Sequence, residues 1–241
     1  MINTILFDLD STLLCMDQDE FVKVYFGRLC AYMAQYGWEP QSLGKVIWGC
    51  VGAMIKNQEP IRNDIVFWQT FETLTGRKKE DVEDGFTEFY EKDFPNVRVV
   101  AQKMEESAAI IRVLKEKGYR LALATNPLFP QIATHSRVQW AGMEPTDFEW
   151  ITTYENSHYC KPSPKYYQEV MEVLGVQPDQ CLMVGNDVEE DMCAADLGLQ
   201  VHLITDYLID RKNKGIEGYP HSTLAEFLEM AKEMPAVNLQ D

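Results

Sequence analysis

The sequence NTILFDLDSTLL, residues 3–14, begins with a short apolar run that ends at the carboxylate of Asp8. Such a run is typical of a strand buried in a parallel sheet, and we expect this strand at residues 2–8. Asp8 then lies at the carboxyl end of the strand, the edge at which open α/β sheets bind ligands. Asp10 follows in the next loop. The stretch therefore predicts a functional site that starts with two aspartates.

The same kind of strand recurs along the chain and alternates with helical patterns. Further strands are predicted in YRLALAT, FEWITT, CLMVG and VHLIT, at residues 119–125, 148–153, 181–185 and 201–205. Helical patterns are predicted at residues 105–117, at residues 163–174 and from about Val188 onward. This alternation predicts an α/β fold, in which helices cover both faces of a doubly wound parallel sheet.

Residues 16–95 interrupt this alternation. They contain helical patterns without a convincing strand, at about 18–36, 42–57, 63–75 and 79–93. We therefore divide the chain into an α/β core domain, residues 1–15 and 96–241, and an all-helical cap domain, residues 16–95. Because the insert begins directly after Asp8 and Asp10, we expect it to leave and re-enter the sheet beside the site, where it can act as a lid.

Charge and composition limit the possible partners. The 241 residues are 46% hydrophobic, enough for a packed core, and carry 22 Lys and Arg against 38 Asp and Glu, a net charge of −16. Such a charge repels nucleic acid, which we exclude as a partner. A phosphorylated substrate meets the same field, so a phosphate site in this chain needs a metal ion, a lysine or helix N-termini beside it.

The six cysteines are widely spaced and form neither a C-x-x-C pair nor a zinc-ligand pattern with histidine. We interpret them as buried free thiols. The first residues lack a signal-peptide pattern, and no run of about 18 apolar residues predicts a membrane span. We therefore expect a soluble, cytoplasmic protein without a membrane partner, and leave its oligomeric state open.

Asp8 and Asp10 share one side-chain chemistry but occupy different places, a strand end and the loop after it. An ionised aspartate can attack phosphorus and form an acyl phosphate, while a second carboxyl group protonates the leaving oxygen and later deprotonates water. The D-x-D pattern carries little weight alone, because acidic residues also cap helices and cluster at turns. Whether Asp8 and Asp10 have these catalytic roles depends on which residues lie near the other predicted strand ends.

Three other segments at or near predicted strand ends suit phosphate or a metal. Thr125, with Asn126 beside it, offers a hydroxyl and backbone N–H groups to a phosphoryl oxygen, although a helix cap would look the same. Lys161 precedes a proline at a helix start, so its ammonium can be held against phosphate and Asp8. Residues 185–191, GNDVEED, bring together several oxygen donors that suit a hard cation. Alternatively, these acidic residues only stabilise the N-terminus of the next helix.

In this order, the segments resemble the four motifs of the haloacid dehalogenase superfamily of hydrolases. FDLDSTL (7–13), ALATN (122–126), KPSPKYY (161–167) and VGNDVEEDMCAA (184–195) are similar to its first to fourth motifs. The resemblance implies a nucleophile at Asp8 and a general acid/base at Asp10. It implies phosphate contacts from Thr125, Asn126 and Lys161. It also implies a Mg²⁺ cofactor held by the Asp8 carboxylate, the Asp10 backbone carbonyl and the fourth motif, beneath a helical (C1-type) cap.

The fourth segment departs from the usual Gly-Asp of that family, because Gly185 is followed by Asn186. Asn186 can bind a metal through its carbonyl oxygen, the turn can present Asp187 instead, and Asp191 can act from behind the ligands. All three remain candidate metal residues. Ser11 also replaces a glycine that the family often has after the second aspartate.

We expect a magnesium-dependent phosphohydrolase that acts on a small phosphorylated metabolite through an aspartyl-phosphate at Asp8. A 2-haloacid dehalogenase is the first alternative on this fold, although carbon–halogen displacement needs neither Asp10 as an acid nor a metal. A sugar phosphomutase and a binding module without turnover are further alternatives.

The insert also carries aromatic residues at helical spacing, namely Trp48, Phe67, Trp68, Phe71, Phe86, Phe89 and Tyr90. Such stripes are typical of a helical core, which is our first interpretation. Aromatic residues that face the sheet edge instead would favour a ring-bearing leaving group.

Overall fold

The computed structural model describes residues 1–237. Its strands are β1 (Thr4–Phe7), β2 (Cys15–Met16), β3 (Ala101–Gln102), β4 (Arg120–Leu123), β5 (Trp150–Ile151), β6 (Cys181–Gly185), β7 (Gln200–Ile204) and β8 (His221–Ser222). Within the described residues, six parallel strands form one sheet in the order β5-β4-β1-β6-β7-β8, and β2 pairs with β3 in an antiparallel ribbon.

Helices cover both faces of this sheet and fill the insert. They are α1 (Gln18–Met33), α2 (Pro40–Lys56), α3 (Asn63–Thr75), α4 (Glu83–Lys92), α5 (Glu105–Glu116), α6 (Gln131–Trp140), α7 (Pro164–Leu174) and α8 (Leu224–Glu233). Short 3₁₀ segments lie between several of them. The predicted doubly wound α/β fold is confirmed.

β1 lies at the centre of the sheet because its side chains are apolar on both faces. Ile5 and Phe7 belong to the hydrophobic cluster of α5 and α8, whereas Leu6 belongs to the cluster of α7. From β1 the chain runs to β4 and β5 on one side, and then returns to β6, β7 and β8 on the other. The strand order therefore reverses beside β1, and Asp8 follows β1 at this switch point, the usual ligand position of such sheets.

Helices α1–α4 lie between β2 and β3, and their ends follow local sequence signals. Asp17 caps α1, because its side chain accepts a hydrogen bond from the N–H of Glu20. Glu39 caps α2 in the same way, just before Pro40 at the first helical position. Gly76 ends α3 in the left-handed conformation. All the helical patterns predicted for the insert correspond to helices.

One hydrophobic cluster runs from the insert into one face of the sheet. Phe94 is fully buried in it and stacks on Trp140 of α6, with ring centroids 5.1 Å apart. The same ring packs against Tyr25 of α1 at 6.0 Å and against Phe89 of α4 at 6.2 Å. The insert and the sheet therefore share a continuous core.

The six cysteines are free thiols, and five of them are buried. Burial raises the pKa of Cys50 and of Cys160 to about 12, so both thiols are protonated at neutral pH. Between residues 1 and 237, no helix has both the length and the apolar composition needed to cross a bilayer.

The predicted helix from about Val188 is wrong. Residues 188–191 form a turn, and a 3₁₀ helix follows at Met192–Leu197. The carboxylates of Asp187 and Asp191 bind backbone N–H groups within this turn, and such bonds compete with an α-helix.

Four features were not predicted from the sequence: α6, α8, β8 and the ribbon of β2 and β3. The start of α8 carried a readable signal, because Thr223 and Glu226 form a capping box at its N-terminus.

Replacing Phe94 with Ala should lower the free energy of unfolding by about 3–5 kcal/mol, because it empties the junction between the insert and α6. Chemical denaturation followed by circular dichroism measures this change. Val99 is 80% exposed, so Val99→Ala should change stability by less than about 0.5 kcal/mol. A loss below about 1 kcal/mol for Phe94→Ala would contradict the continuous core.

Candidate active site

Lys161 lies at the centre of the candidate site. Its Nζ atom donates hydrogen bonds to Asp8 Oδ1 at 2.8 Å and to Asp191 Oδ1 at 2.7 Å. The lysine side chain is only 1% exposed. Asp8 follows β1, Asp191 follows β6, and Lys161 precedes α7. The structure thus joins the first, third and fourth predicted segments through one buried ammonium group.

These neighbouring charges shift one another's protonation. Burial raises the pKa of Asp8 to about 8; Lys161 opposes the increase, and the carboxylates of Asp191 and Asp10 add to it. Burial lowers the pKa of Lys161, but Asp191 and Asp8 outweigh burial and hold that pKa well above its ordinary value. A further cation beside Asp8 would favour its carboxylate form.

Thr125 and Asn126 follow β4 and lie beside this cluster. Thr125 is buried, and its carbonyl oxygen accepts hydrogen bonds from Thr152 Oγ1 at 2.6 Å and from the Tyr166 hydroxyl at 2.9 Å. Asn126 Oδ1 accepts a hydrogen bond from Lys161 N at 3.2 Å, which ties the second segment to the third. A small cavity at this sheet edge, here called the inner cavity, has in its wall Asp8, Asp10, Thr125, Asn126, Asn186, Asp187 and Asp191.

The acidic turn after β6 is held by its own side chains. Asp187 Oδ1 accepts hydrogen bonds from the N–H groups of Glu189 and Glu190, at 2.8 and 2.9 Å. Asp187 Oδ2 accepts one from Arg211 Nη1 at 2.8 Å. Asp191 Oδ2 accepts one from Asp187 N at 2.9 Å. All four carboxylate oxygens of these two aspartates therefore already have a donor, since Asp191 Oδ1 binds Lys161.

Gly185 ends β6 and leaves space for Asp191. A Cβ atom at this position would lie 2.2 Å from Asp191 Oδ2 and 2.3 Å from its Cγ, far inside the contact distance of non-bonded atoms. Glycine is therefore required for the Asp191 carboxylate to reach Lys161.

Hydrogen bonds fix both ends of the Asn186 side-chain amide. Its Nδ2 donates a hydrogen bond to Tyr207 O at 2.6 Å, while its Oδ1 accepts one from Thr12 Oγ1 at 3.1 Å. The same Thr12 hydroxyl lies 3.4 Å from Asp8 Oδ2. Asp8 and Asn186 both line the inner cavity, and the Thr12 hydroxyl lies between their side-chain oxygens. Hard oxygen ligands of this kind suit Mg²⁺.

Carboxylates alone would not hold a cation beside Asp8. Among residues 1–237, no three His, Cys, Asp or Glu side chains are grouped so as to hold a metal ion. A cation beside Asp8 would therefore depend on the Asn186 amide oxygen and on backbone carbonyls as well. This donor set fits Mg²⁺, which commonly keeps several waters and takes few protein carboxylates.

Asp10 faces a fully buried arginine. Arg137 Nη1 forms an ion pair with Asp10 Oδ2, and its guanidinium lies over Phe129, 4.3 Å from the ring centroid. The Arg137 side chain is 0% exposed and that of Asp10 is 17% exposed. Asp10 Oδ1 is also buried, and it has no hydrogen-bond partner among the described residues. One carboxylate oxygen of Asp10 is thus paired and the other is free.

Arg137 was not among the predicted site residues, because the helix that carries it, α6, was not predicted. Ala133, Arg137 and Ala141 follow one another at intervals of four residues, and all three are buried. The spacing places Arg137 on the apolar face of the helix, where an unpaired charge is costly. A charged residue on such a face is the signal that could have indicated a buried partner.

Ser11 adopts the conformation that favours glycine at this position. Its φ is +64°, in the left-handed region, and its Oγ donates a hydrogen bond to Met16 O at 2.8 Å. The hydrogen bond offsets the steric cost of a side chain in this turn.

Solved structures with the same fold include enzymes of more than one activity. A HAD phosphatase from Thermococcus onnurineus superposes with a TM-score of 0.59 at 18% identity, over 98% of this chain and 100% of that one. The L-2-haloacid dehalogenase from Xanthobacter autotrophicus superposes with a TM-score of 0.58 at 14% identity, over 97% and 100%. At these identities the likeness establishes the fold alone.

Two curated relatives are phosphatases by name. The chain is 27% identical over 105 residues to a glyceraldehyde 3-phosphate phosphatase of Methanothermobacter thermautotrophicus, a match that covers 43% of this chain and only 45% of that protein. It is 23% identical over 186 residues to the pyrophosphatase PpaX of Bacillus cereus, with 77% of this chain and 75% of that protein covered.

The family model of haloacid dehalogenase-like hydrolases matches residues 2–196, which contain β1, the helical insert and the acidic turn after β6. The match thus spans most of the sheet and all four segments that form the site. The chain belongs to the haloacid dehalogenase-like hydrolases.

Proposed function

We propose that this hydrolase transfers the phosphoryl group of a small phosphomonoester to Asp8 and then to water. The observation that carries the proposal is the buried ion pair of Lys161 and Asp8, 2.8 Å apart beside the switch point of the sheet. In a chain with a net charge of −16, an anionic substrate requires a fixed positive charge at its site. The names of the two phosphatase relatives support the same reaction class.

The reaction divides between the two aspartates. A carboxylate oxygen of Asp8 attacks phosphorus, the bond from phosphorus to the ester oxygen breaks, and an aspartyl-phosphate forms. Asp10 donates a proton to the departing ester oxygen, which leaves as an alcohol. Asp10 then accepts a proton from the water that attacks the aspartyl-phosphate, and inorganic phosphate and free Asp8 are released.

Polar groups around the inner cavity bind the phosphoryl oxygens. Lys161 supplies a positive charge, Thr125 a hydroxyl, and Asn126 a side-chain amide whose Oδ1 already accepts the Lys161 N–H. Because Lys161 is fixed by Asp8 and Asp191, its ammonium needs little rearrangement when the substrate enters.

Arg137 positions Asp10 for both proton transfers. It holds Asp10 Oδ2 and leaves Oδ1, which has no partner among the described residues, for the substrate or water. Rotating the carboxyl group away from the guanidinium would leave a fully buried charge unpaired, at a cost of about 3–5 kcal/mol. Oδ1 is therefore the oxygen that exchanges the proton.

Mg²⁺ fits the oxygen atoms beside Asp8. The Asp8 carboxylate, the Asp10 backbone carbonyl and Asn186 Oδ1 would hold it, while Asp187 and Asp191 hold the turn behind it. When bound, the cation neutralises negative charge on the phosphoryl group and on the carboxylates. Asn186 contributes no charge, so we expect weaker Mg²⁺ binding than an aspartate would give.

The alternative activities make different demands on the same residues. A haloacid dehalogenase would release halide in the presence of a chelator and without a proton from Asp10. A phosphomutase would return the phosphate to a sugar, and a binding module would release none. Halide assays with chelator and product analysis with a hexose phosphate separate these alternatives from hydrolysis.

Replacing Asp8 with Asn should lower kcat for phosphate release at least about 1,000-fold, because a neutral amide does not attack phosphorus. The measurement is inorganic phosphate released from a generic phosphomonoester with Mg²⁺, and a chelator should abolish it in the unchanged protein. Asp196→Asn, the same change at an exposed position, is the matched control. Undiminished turnover in Asp8→Asn would exclude the mechanism.

Replacing Asn186 with Asp should lower the Mg²⁺ concentration for half-maximal activity about tenfold, because it adds a charged ligand. It should also lower the metal-free stability by about 1–3 kcal/mol, because the hydrogen bond to the Tyr207 carbonyl is replaced by two facing oxygens. Activity titrations and thermal unfolding, each with and without Mg²⁺, measure the two effects.

Asp187→Asn distinguishes the two candidate ligands. The asparagine side chain can still accept hydrogen bonds from the N–H groups of the turn. We therefore expect the Mg²⁺ concentration for half-maximal activity to change less than about threefold. A large increase in that requirement, with no gain in Asn186→Asp, would assign the metal to Asp187 instead.

Replacing Arg137 with Met should lower the free energy of unfolding by about 3–5 kcal/mol, because Asp10 then lacks its buried counter-charge. Asp10→Asn leaves Arg137 unpaired, so the double variant should be more stable than the sum of the two losses predicts, by about 1–3 kcal/mol. Denaturant titrations of all four proteins measure this coupling. Strictly additive losses would show that the pair has no structural role.

A further inference from the structure

A second, much larger cavity opens directly beside the inner cavity. Its volume is about 720 Å³, within the range typical of sites for whole small molecules. The two cavities share Asp10, Gln18 and Glu190 in their walls. A molecule whose phosphate lies against Asp8 and Asp10 would therefore extend its remaining part into the larger space, here called the outer cavity.

Aromatic side chains of the insert form most of one wall of the outer cavity. They are Phe21, Tyr25, Phe26, Trp48, Phe67, Trp68, Phe86 and Tyr90. Phe26 and Trp48 stack on each other with ring centroids 4.7 Å apart and an interplanar angle of 4°. Trp48 is nevertheless 53% exposed, so part of this apolar wall faces open space.

The aromatic residues of the insert thus fall into two groups. Phe71 and Phe89 are fully buried, as expected of a helical core. The other five, Trp48, Phe67, Trp68, Phe86 and Tyr90, instead line the outer cavity. The core interpretation holds for the first group, and the ring-binding alternative is available to the second.

The charges of the outer cavity do not suit an anionic ligand. Its described wall contains two cationic residues, Lys79 and Arg211, and both are already paired: Lys79 with Glu83 at 3.3 Å, and Arg211 with Asp187 at 2.8 Å. The acidic residues of the wall outside the region shared with the inner cavity are Asp19, Asp64, Glu83 and Glu155. Among the described residues, no unpaired cationic side chain lines the outer cavity, so its wall offers little attraction for a second negative charge.

Polar groups in the aromatic wall are neutral as well. The hydroxyls of Tyr25 and Tyr90 are hydrogen-bonded to each other at 2.8 Å. Burial raises the pKa of Tyr25 to about 12, so its hydroxyl carries no charge at neutral pH.

We propose that the substrate is a phosphomonoester whose alcohol carries a bulky, uncharged ring system, bound among the aromatic side chains of the outer cavity. The inference rests on the proposed phosphohydrolase function and adds its substrate class. Ring faces stack on aromatic side chains, and burial of apolar surface supplies binding energy that a compact polar alcohol lacks. Pyrophosphate would place a second anion in the acidic outer cavity, so it is a poor substrate.

The test compares alkyl phosphates of matched reactivity. Ethyl phosphate and naphthylethyl phosphate both release a primary alcohol, so their intrinsic chemistry is similar and only the ring differs. With Mg²⁺, kcat/KM for naphthylethyl phosphate should exceed that for ethyl phosphate by about 100-fold, and pyrophosphate should fall below both. Equal values within about threefold, or a preference for pyrophosphate, would overturn the inference.

Two variants test whether the preference for naphthylethyl phosphate arises in the aromatic wall of the outer cavity. Trp48→Ala should lower the ratio of the two kcat/KM values about tenfold, because it removes one ring of the stacked pair. Leu74 is also 53% exposed but lies outside the outer cavity, so Leu74→Ala should leave the ratio unchanged. A ratio that falls equally in both variants, or in neither, would contradict the assignment of the ring to this wall.

A binding measurement separates failure of the inference from failure of the proposed function. Naphthylethanol, the product alcohol, should quench tryptophan fluorescence with saturation in the unchanged protein and bind at least about fivefold more weakly to Trp48→Ala. Saturable binding without any phosphate release would retain the ring site and reject the phosphohydrolase. Phosphate release from ethyl phosphate without saturable binding would retain the phosphohydrolase and reject the ring site.

Discussion

The site depends on one buried ammonium group between two carboxylates. Asp8 and Asp191 follow neighbouring strands, and without Lys161 they would bring two negative charges together in a region that water hardly reaches. An uncompensated buried charge costs several kcal/mol, so these three segments are stable only when they meet. The close contact of Gly185 with Asp191 belongs to the same constraint, because any Cβ would push the carboxylate away from Lys161. The contacts that build the site therefore also stabilise this edge of the sheet.

The sequence predicted those strands that are buried on both faces and those helices whose ends carry clear local signals. β1 and β6 are apolar on both faces, which leaves a continuous signal, and the helices of the insert start and end at Asp17, Pro40 and Gly76. α6 gave a weaker pattern, because Arg137 occupies its apolar face. The acidic turn after β6 resembled a helix start, and its side-chain bonds to the backbone gave it a different conformation.

Within the site, local sequence indicated which residues meet but not how they point. Asp8, Thr125 and Lys161 were expected at the sheet edge because strand ends converge there. The orientation of Asn186 depends on the carbonyl of Tyr207, which is 21 residues further along the chain. The partner of Asp10 is 127 residues away, in α6. Such distant contacts follow from the packing of whole elements, which no local pattern records.

Phe129 connects the insert to Arg137, the ion-pair partner of Asp10. Its ring packs on Tyr25 and Phe21 of α1, at 5.1 and 6.0 Å, while its face supports the guanidinium of Arg137. Phe21 also lies 5.8 Å from that guanidinium, so Arg137 is enclosed only while α1 rests on the loop before α6. The packing of the insert on this loop therefore helps to hold Asp10 in place, although Asp10 itself does not belong to the insert.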